Sequence, residues 1–194
     1  MSHMSSRLPR LKAGITLALL VGSVGFAAPS ASAQEAMTKE AAAVVKASFV
    51  ADLEAMRTKF LGLADAFPQD KYTWRPMEGV RSVSEVLMLI ASEGYGFAPT
   101  ALGGKAGLTR EEMAPLSKVT DKAQVIEHLN KGFAHAKQAL EAIDPATLVA
   151  KRRVMGQDRT TPEIVLAVAG DMHEHLGQLI AYARVNHIVP PWSK

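Results

Sequence analysis

The chain has 194 residues, no cysteine, and 22 Lys and Arg against 19 Asp and Glu, which excludes thiolate catalysis, disulfide staples and Cys-ligated zinc. Three of the basic residues, Arg7, Arg10 and Lys12, fall within the first 33, which hold no acidic residue. Residues 34–194 therefore carry 19 charges of each sign, with neither a basic field that would concentrate nucleic acid nor an acidic tail, so no nucleic-acid partner is expected.

Met1–Ser2–His3–Met4 reads as a cloning remnant (residues 1–3) before a natural start at Met4. A basic segment, an apolar run from Ala13 to Ala28 and the small-residue site Ala31–Ser32–Ala33 then follow in the order of a secretory signal peptide. Residues 1–33 are assigned to it, with cleavage expected before Gln34. An uncleaved anchor is the competing reading, but Gly14, Gly22, Ser23 and Gly25 interrupt a run that is short for a bilayer. Export to the periplasm or medium is expected, with no stable membrane span after cleavage. Residues 34–194 are long enough for one domain with a sizeable core.

Four segments of that domain have helical periodicity. From Lys39 to Ala66, the residues Val45, Phe49, Leu53, Met56, Phe60, Leu63 and Phe67 recur every three or four positions and wind one apolar stripe. Pro68 ends the segment, because its ring disfavours helical geometry in the preceding residue. A second helix opens at Ser82, with Glu85 three residues on as a capping box, and runs through Val83, Val86, Leu87, Leu89 and Ile90 to about Phe97. A third begins at Thr120 or Asp121 and carries Ile126, Leu129, Phe133, Ala136, Leu140 and Ile143. Thr161 as N-cap and Pro162 at the first helical position open a fourth, whose stripe of Val165, Val168, Met172, Leu176, Leu179 and Ala183 ends near Asn186. Hardly any β-patterned sequence lies between them. The fold class predicted is all-α, a four-helix bundle, with a connection from Ala98 to Val119 long enough to cross the bundle between helices two and three.

Two stretches carry a resemblance. Phe67–Pro68–Gln69–Asp70–Lys71–Tyr72–Thr73–Trp74–Arg75–Pro76, running on through Arg81–Ser82–Val83–Ser84–Glu85–Val86, resembles the first inter-helix loop and second helix of the DinB (DinB/YfiT-like) family. The stretch from His173 to Arg184 with the tail Ile188–Val189–Pro190–Pro191–Trp192 resembles that family's last helix and end. The resemblance implies a four-helix bundle with a long crossover. It also implies a cleft in which many members hold a divalent metal with three histidines. Some relatives are thiol-dependent transferases or isomerases and others resemble hydrolases, so the scaffold does not name a reaction.

Residue by residue, this chain departs from the three-histidine pattern. Leu89 stands where the family usually has its first histidine, and a leucine has no lone pair to donate. Asp171 takes the earlier position on the last helix, while His175 keeps the later one. Asp171 and His175 are one turn apart on one face, Gln178 and Tyr182 continue that face, and Glu93 lies one turn beyond Leu89. Glu93, Asp171 and His175 could together hold zinc, manganese, iron or nickel weakly; no cofactor follows firmly. The competing reading has Asp171 hydrogen-bonded to His175, fixing its tautomer with no ion present.

Trp74 and Arg75 either clamp the loop onto the bundle or border a ligand pocket with Leu89, Gln178 and Tyr182. His173, two residues from His175, projects to the other side of the helix. His128 and His135 read as boundary residues of helix three, His187 as a turn residue, and Lys151–Arg152–Arg153 as a solvated patch. Three functions compete. One is a metal-dependent hydrolase or thiol-dependent transferase using Asp171 and His175, with or without Glu93. The second is a bundle whose degenerate metal cleft takes a small-molecule ligand. The third is an interaction protein acting as a homodimer through an exposed helix face.

Overall fold

The structure, a computed structural model, describes residues 37–193; the expected signal peptide and its cleavage site lie outside the described residues. Helix α1 (Lys39–Ala66) has the predicted span. The Thr38 hydroxyl accepts from the Ala41 amide at its start, and the stripe delivers Met56, Phe60, Leu63 and Phe67 to the core. Beyond Pro68 the loop is pinned by Tyr72. Its buried hydroxyl donates to the Ala64 carbonyl at 2.7 Å, and its carbonyl accepts from the Ser84 amide at 2.9 Å. Burial and the nearby Asp65 and Asp121 charges push the phenol's pKa up, so it remains a proton donor.

Helix α2 (Val83–Tyr95) starts with the predicted capping box: the Glu85 amide donates to the Ser82 hydroxyl, and the Ser82 amide to the Glu85 carboxylate at 2.7 Å. The connection that follows is not a bare loop. It contains the short helices α3 (Phe97–Ala101) and α4 (Arg110–Met113) and a 3-10 turn over Ala114–Lys118. Helix α5 (Lys122–Glu141) then begins at Asp121, whose carboxylate accepts from the Gln124 amide. The Lys122 ammonium donates to the Asp65 and Phe67 carbonyls at the end of α1, and that is the end at which Tyr72 anchors the start of α2. The connection therefore returns the chain along the bundle, and α2 and α5 run in the same direction, as the crossover expectation requires.

Helices α1 and α5 are antiparallel and cap each other. Lys46, near the start of α1, donates to the Glu141 and Ile143 carbonyls at the end of α5, as Lys122 does at the opposite end. Each ammonium satisfies carbonyls left open by a helix terminus and sits at the negative end of its dipole.

Two features depart from expectation. Arg152–Val154 (β1) and Gln157–Arg159 (β2) form an antiparallel hairpin, with Val154 opposite Gln157. Met155 and Gly156 both adopt positive φ, 49° and 79°, the pattern of a two-residue turn whose twist suits a hairpin. Helix α6 (Thr161–Val185) is capped by Thr160 rather than Thr161. The Glu163 carboxylate accepts from both the Thr160 amide and hydroxyl. Pro162 still falls in the first turn, where its missing N–H costs nothing, and Thr161 instead accepts from Arg152 at 2.8 Å. Among the described residues no helix is long and apolar enough to cross a membrane.

The closest backbone approach involves two glycines. A Cβ on Gly94 would meet the Gly132 carbonyl at 2.6 Å, and one on Gly132 would meet the Ala91 carbonyl oxygen at 2.6 Å. Helices α2 and α5 thus touch main chain to main chain, with no room for a methyl group. Gly132→Ala should destabilise the protein by about 1–3 kcal/mol through overpacking, although alanine is the better helix former. Gly170→Ala on α6, where nothing lies within 4 Å of the added methyl, should instead stabilise by up to about 1 kcal/mol. Urea unfolding of the two variants checks this; equal effects would mean that the α2–α5 contact is not tight.

Candidate functional site

Helices α2 and α6 pack antiparallel along the seam that carries the predicted site. The Tyr182 hydroxyl donates to the Arg81 carbonyl at 3.0 Å at one end of it, and Glu93 meets Asp171 toward the other. Between these ends α6 presents His175, Gln178 and Tyr182, each one turn or less from the next.

These three side chains form one hydrogen-bonded chain, and its polarity is fixed from its far end. The Arg81 carbonyl can only accept, so the Tyr182 hydroxyl must donate to it. Tyr182 then receives its second hydrogen bond as an acceptor, from the Gln178 amide nitrogen at 2.7 Å. That turns the Gln178 oxygen toward His175, 3.0 Å from Nδ1. An amide oxygen accepts only, so Nδ1 carries a proton. A neutral His175 therefore presents a bare Nε2.

That Nε2 faces Asp171 Oδ2 at 3.9 Å, too far for a hydrogen bond. The tautomer of His175 is set by Gln178 and not by Asp171, contrary to the competing expectation. Asp171 Oδ2 is a buried oxygen without a hydrogen-bond partner, a state that costs free energy unless something fills it. The remainder of the Asp171 side chain is open to solvent, while His175 is largely buried.

Glu93 approaches the same carboxylate. Burial first, then the Asp171 charge and a hydrogen bond to Asp171, raise the Glu93 pKa to about 8, with only a weak opposing pull from Arg81. Two carboxylates cannot both ionise cheaply at close range. A protonated Glu93 donates one hydrogen bond to the Asp171 carboxylate, and Asp171 Oδ2 has no other donor. Among the described residues, no three His, Asp or Glu side chains converge as a group able to hold an ion; Asp171 stands between His175 and Glu93 without closing the set.

The predicted pocket is divided. Leu89, Gln178 and Arg75 line an open groove of about 760 Å³. Glu93 and Asp171 line a second cleft of about 330 Å³, bounded by Phe97 and by Met155 and Arg159 of the hairpin. Trp74 packs edge-on against Tyr182, ring centroids 5.3 Å apart, and Tyr182 itself is buried. Arg75 bonds the Glu85 carboxylate at 3.1 Å and the Val80 carbonyl at 3.0 Å. Trp74 and Arg75 thus clamp the loop, and Arg75 also forms part of the groove wall. The bond from the Ser82 amide, with Arg75 beside it, holds the Glu85 pKa below its usual value.

The other histidines lie elsewhere. His173 is 3.7 Å from Asp52 on the surface, His128 meets the Tyr95 hydroxyl, His135 meets the Lys105 carbonyl, and His187 has a φ of 61° in the turn after α6. Sequence reasoning missed Arg81 and Met113 in the groove and the hairpin residues of the second cleft. The only signal for the hairpin was Gly156 at its turn.

The family described as the DinB superfamily matches residues 52–179. None of the curated proteins compared with the chain matches it.

The folded state holds a proton on Glu93 up to about pH 8, whereas the unfolded chain releases it near the ordinary value of 4.5. The folded state thus binds more protons between those limits, and this contribution to stability declines as pH rises through the window. Glu93→Gln, a permanent stand-in for the protonated acid, should gain stability relative to the parent between pH 5 and pH 8.5 in urea unfolding. Parallel pH profiles for the two proteins would contradict the assignment.

Proposed function

The chain belongs to the DinB superfamily, and on that premise we propose that it is an exported bundle that binds a divalent cation weakly, between Asp171 and His175. The observation that carries this reading is the buried Asp171 Oδ2, which has no donor other than Glu93, facing the bare Nε2 of His175 at 3.9 Å. The donor set fits a cation. A carboxylate oxygen and an imidazole nitrogen are both donors that divalent cations take, and these two residues would hold the ion. The Gln178 bond to Nδ1 is the outer-shell support that metal-bound histidines commonly have.

The fit is incomplete in two respects. Leu89 contributes hydrocarbon where a third nitrogen would stand, and hydrocarbon opposes bringing a charge to that side. Glu93 holds a proton against Asp171, so protons and cations compete for that carboxylate. Two protein ligands with water completing the shell bind weakly. An ion so held would supply Lewis acidity to whatever enters the cleft; the chain's own residues orient it and exchange one proton at Glu93.

Manganese titration by calorimetry, on protein dialysed against a mild chelator, tests this. The dialysed protein should retain much less than one equivalent of metal. Added manganese should bind at no more than one site, more tightly at pH 8.5 than at pH 6, and His175→Ala should abolish the binding. Leu89→His with Asp171→His should raise affinity by about 10-fold or more, since even outer-shell changes cost about 10–100-fold. A stoichiometric ion surviving dialysis would move a metal-dependent hydrolase or thiol-dependent transferase to the front. No binding to the parent at either pH would remove the site altogether. For export, the intact mass of protein from the native host should correspond to a chain starting at Gln34; a mass retaining residues 5–33 would contradict it.

A further inference from the structure

The groove of about 760 Å³ alongside α2 has a charge that its own residues do not balance. Arg75 and Glu85 face each other at 3.1 Å and cancel. Arg81, the other guanidinium in the wall, is exposed, and among the described residues its side chain has no carboxylate within ion-pair distance. Its backbone is fixed, because its carbonyl accepts from the Tyr182 hydroxyl at 3.0 Å, so the root of the side chain does not wander. Beside this charge the groove has a mixed lining: Ser92, Ser117 and Gln178 supply polar groups, and Leu89 of α2 and Met113 from the end of α4 supply the accessible apolar surface. Leu89, which removes a nitrogen ligand from the family's metal set, here supplies apolar surface to the groove.

A groove of this size, with an apolar patch beside one guanidinium that no carboxylate pairs, offers both a body and an anchor for a small molecule. The charge is a guanidinium, whose planar fork matches a carboxylate with two parallel hydrogen bonds. The flexible Met113 thioether can adjust to an irregular apolar body. We propose that this groove binds a small amphipathic carboxylate, with the acid group on Arg81 and the hydrocarbon chain against the half-buried Leu89 and Met113. Glu93 and Asp171 line the other cleft, but the Arg81 charge is felt at Glu93, so carboxylate and metal are titrated each in the absence of the other.

Octanoate, used below its micelle concentration, is the probe. Calorimetric titration of the metal-stripped protein should show saturable binding of one equivalent. Arg81→Gln, a change in an exposed side chain that leaves the carbonyl contact in place, should weaken it by about tenfold or more, the scale of a lost charge-assisted pair, with an unchanged melting temperature. Butyrate, four methylenes shorter, should bind at least tenfold more weakly because it leaves most of the apolar wall uncovered. Octylammonium should not bind. Failure of octanoate to saturate, equal affinity for the parent and Arg81→Gln, butyrate binding as tightly as octanoate, or binding of octylammonium would each overturn the proposal. Manganese binding in the same preparation is read separately, so failure of one reading does not obscure the other.

Discussion

The contact between Gly94 and Gly132 sets the position of α2, and the candidate site follows from that position. Backbone meets backbone there, with 2.6 Å available to a side chain that would begin at either Cα. Such a contact has little slack, because no flexible side chain lies between the helices to absorb a shift. Leu89 and Glu93 flank Ala91 by two residues on either side, so they leave α2 roughly opposite the surface that Ala91 presses on Gly132. Holding α2 tightly against α5 therefore directs Leu89 and Glu93 toward α6. The crossed lysine caps, Lys46 on the end of α5 and Lys122 on the end of α1, hold α1 and α5 in register at both ends of the bundle.

On this frame, α6 contributes a line of polar side chains whose protons are all assigned by one carbonyl. From the Arg81 oxygen, each donor and acceptor follows in turn through Tyr182 and Gln178 to Nδ1 of His175. This chain ties the start of α2 to the imidazole. It connects the two functional proposals mechanically: the carbonyl that orders the histidine belongs to the residue whose guanidinium faces the groove. Chemically the two clefts are opposites. The one at Glu93 and Asp171 holds an extra proton between two carboxyl groups, whereas the one at Arg81 carries a guanidinium with no carboxylate at ion-pair distance among the described residues.

Most of the fold was legible in the sequence because its signals are local and repeated. The stripe of α1 announced itself through seven apolar residues at helical spacing, and Ser82 with Glu85 marked the start of α2 through bonds that form within four residues. The hairpin was not legible. Its strands are three residues long and charged, and only the positive φ of Met155 and Gly156 defines it. The Gly94–Gly132 contact was invisible for a different reason: a glycine in a helical pattern carries no record of which backbone it must admit. Within the site, helical spacing brought Asp171, His175, Gln178 and Tyr182 to one face. It could not distinguish a histidine ordered by Asp171 from one ordered by Gln178, since the two lie four and three residues from it. Nor could it show that Leu89 and Glu93 open onto different clefts, which depends on Met113 and the hairpin arriving from distant parts of the chain.

The direction in which His175 points its free nitrogen decides whether a lone pair faces Asp171. Long-range proton–nitrogen correlation spectra of protein labelled with ¹⁵N in histidine report directly which ring nitrogen is protonated. At a pH where His175 is neutral, and with metal removed, the spectrum should show the proton on Nδ1 and a bare Nε2, and Gln178→Ala should release this preference. A His175 protonated on Nε2 in the parent would contradict the hydrogen-bond chain and leave no lone pair facing Asp171.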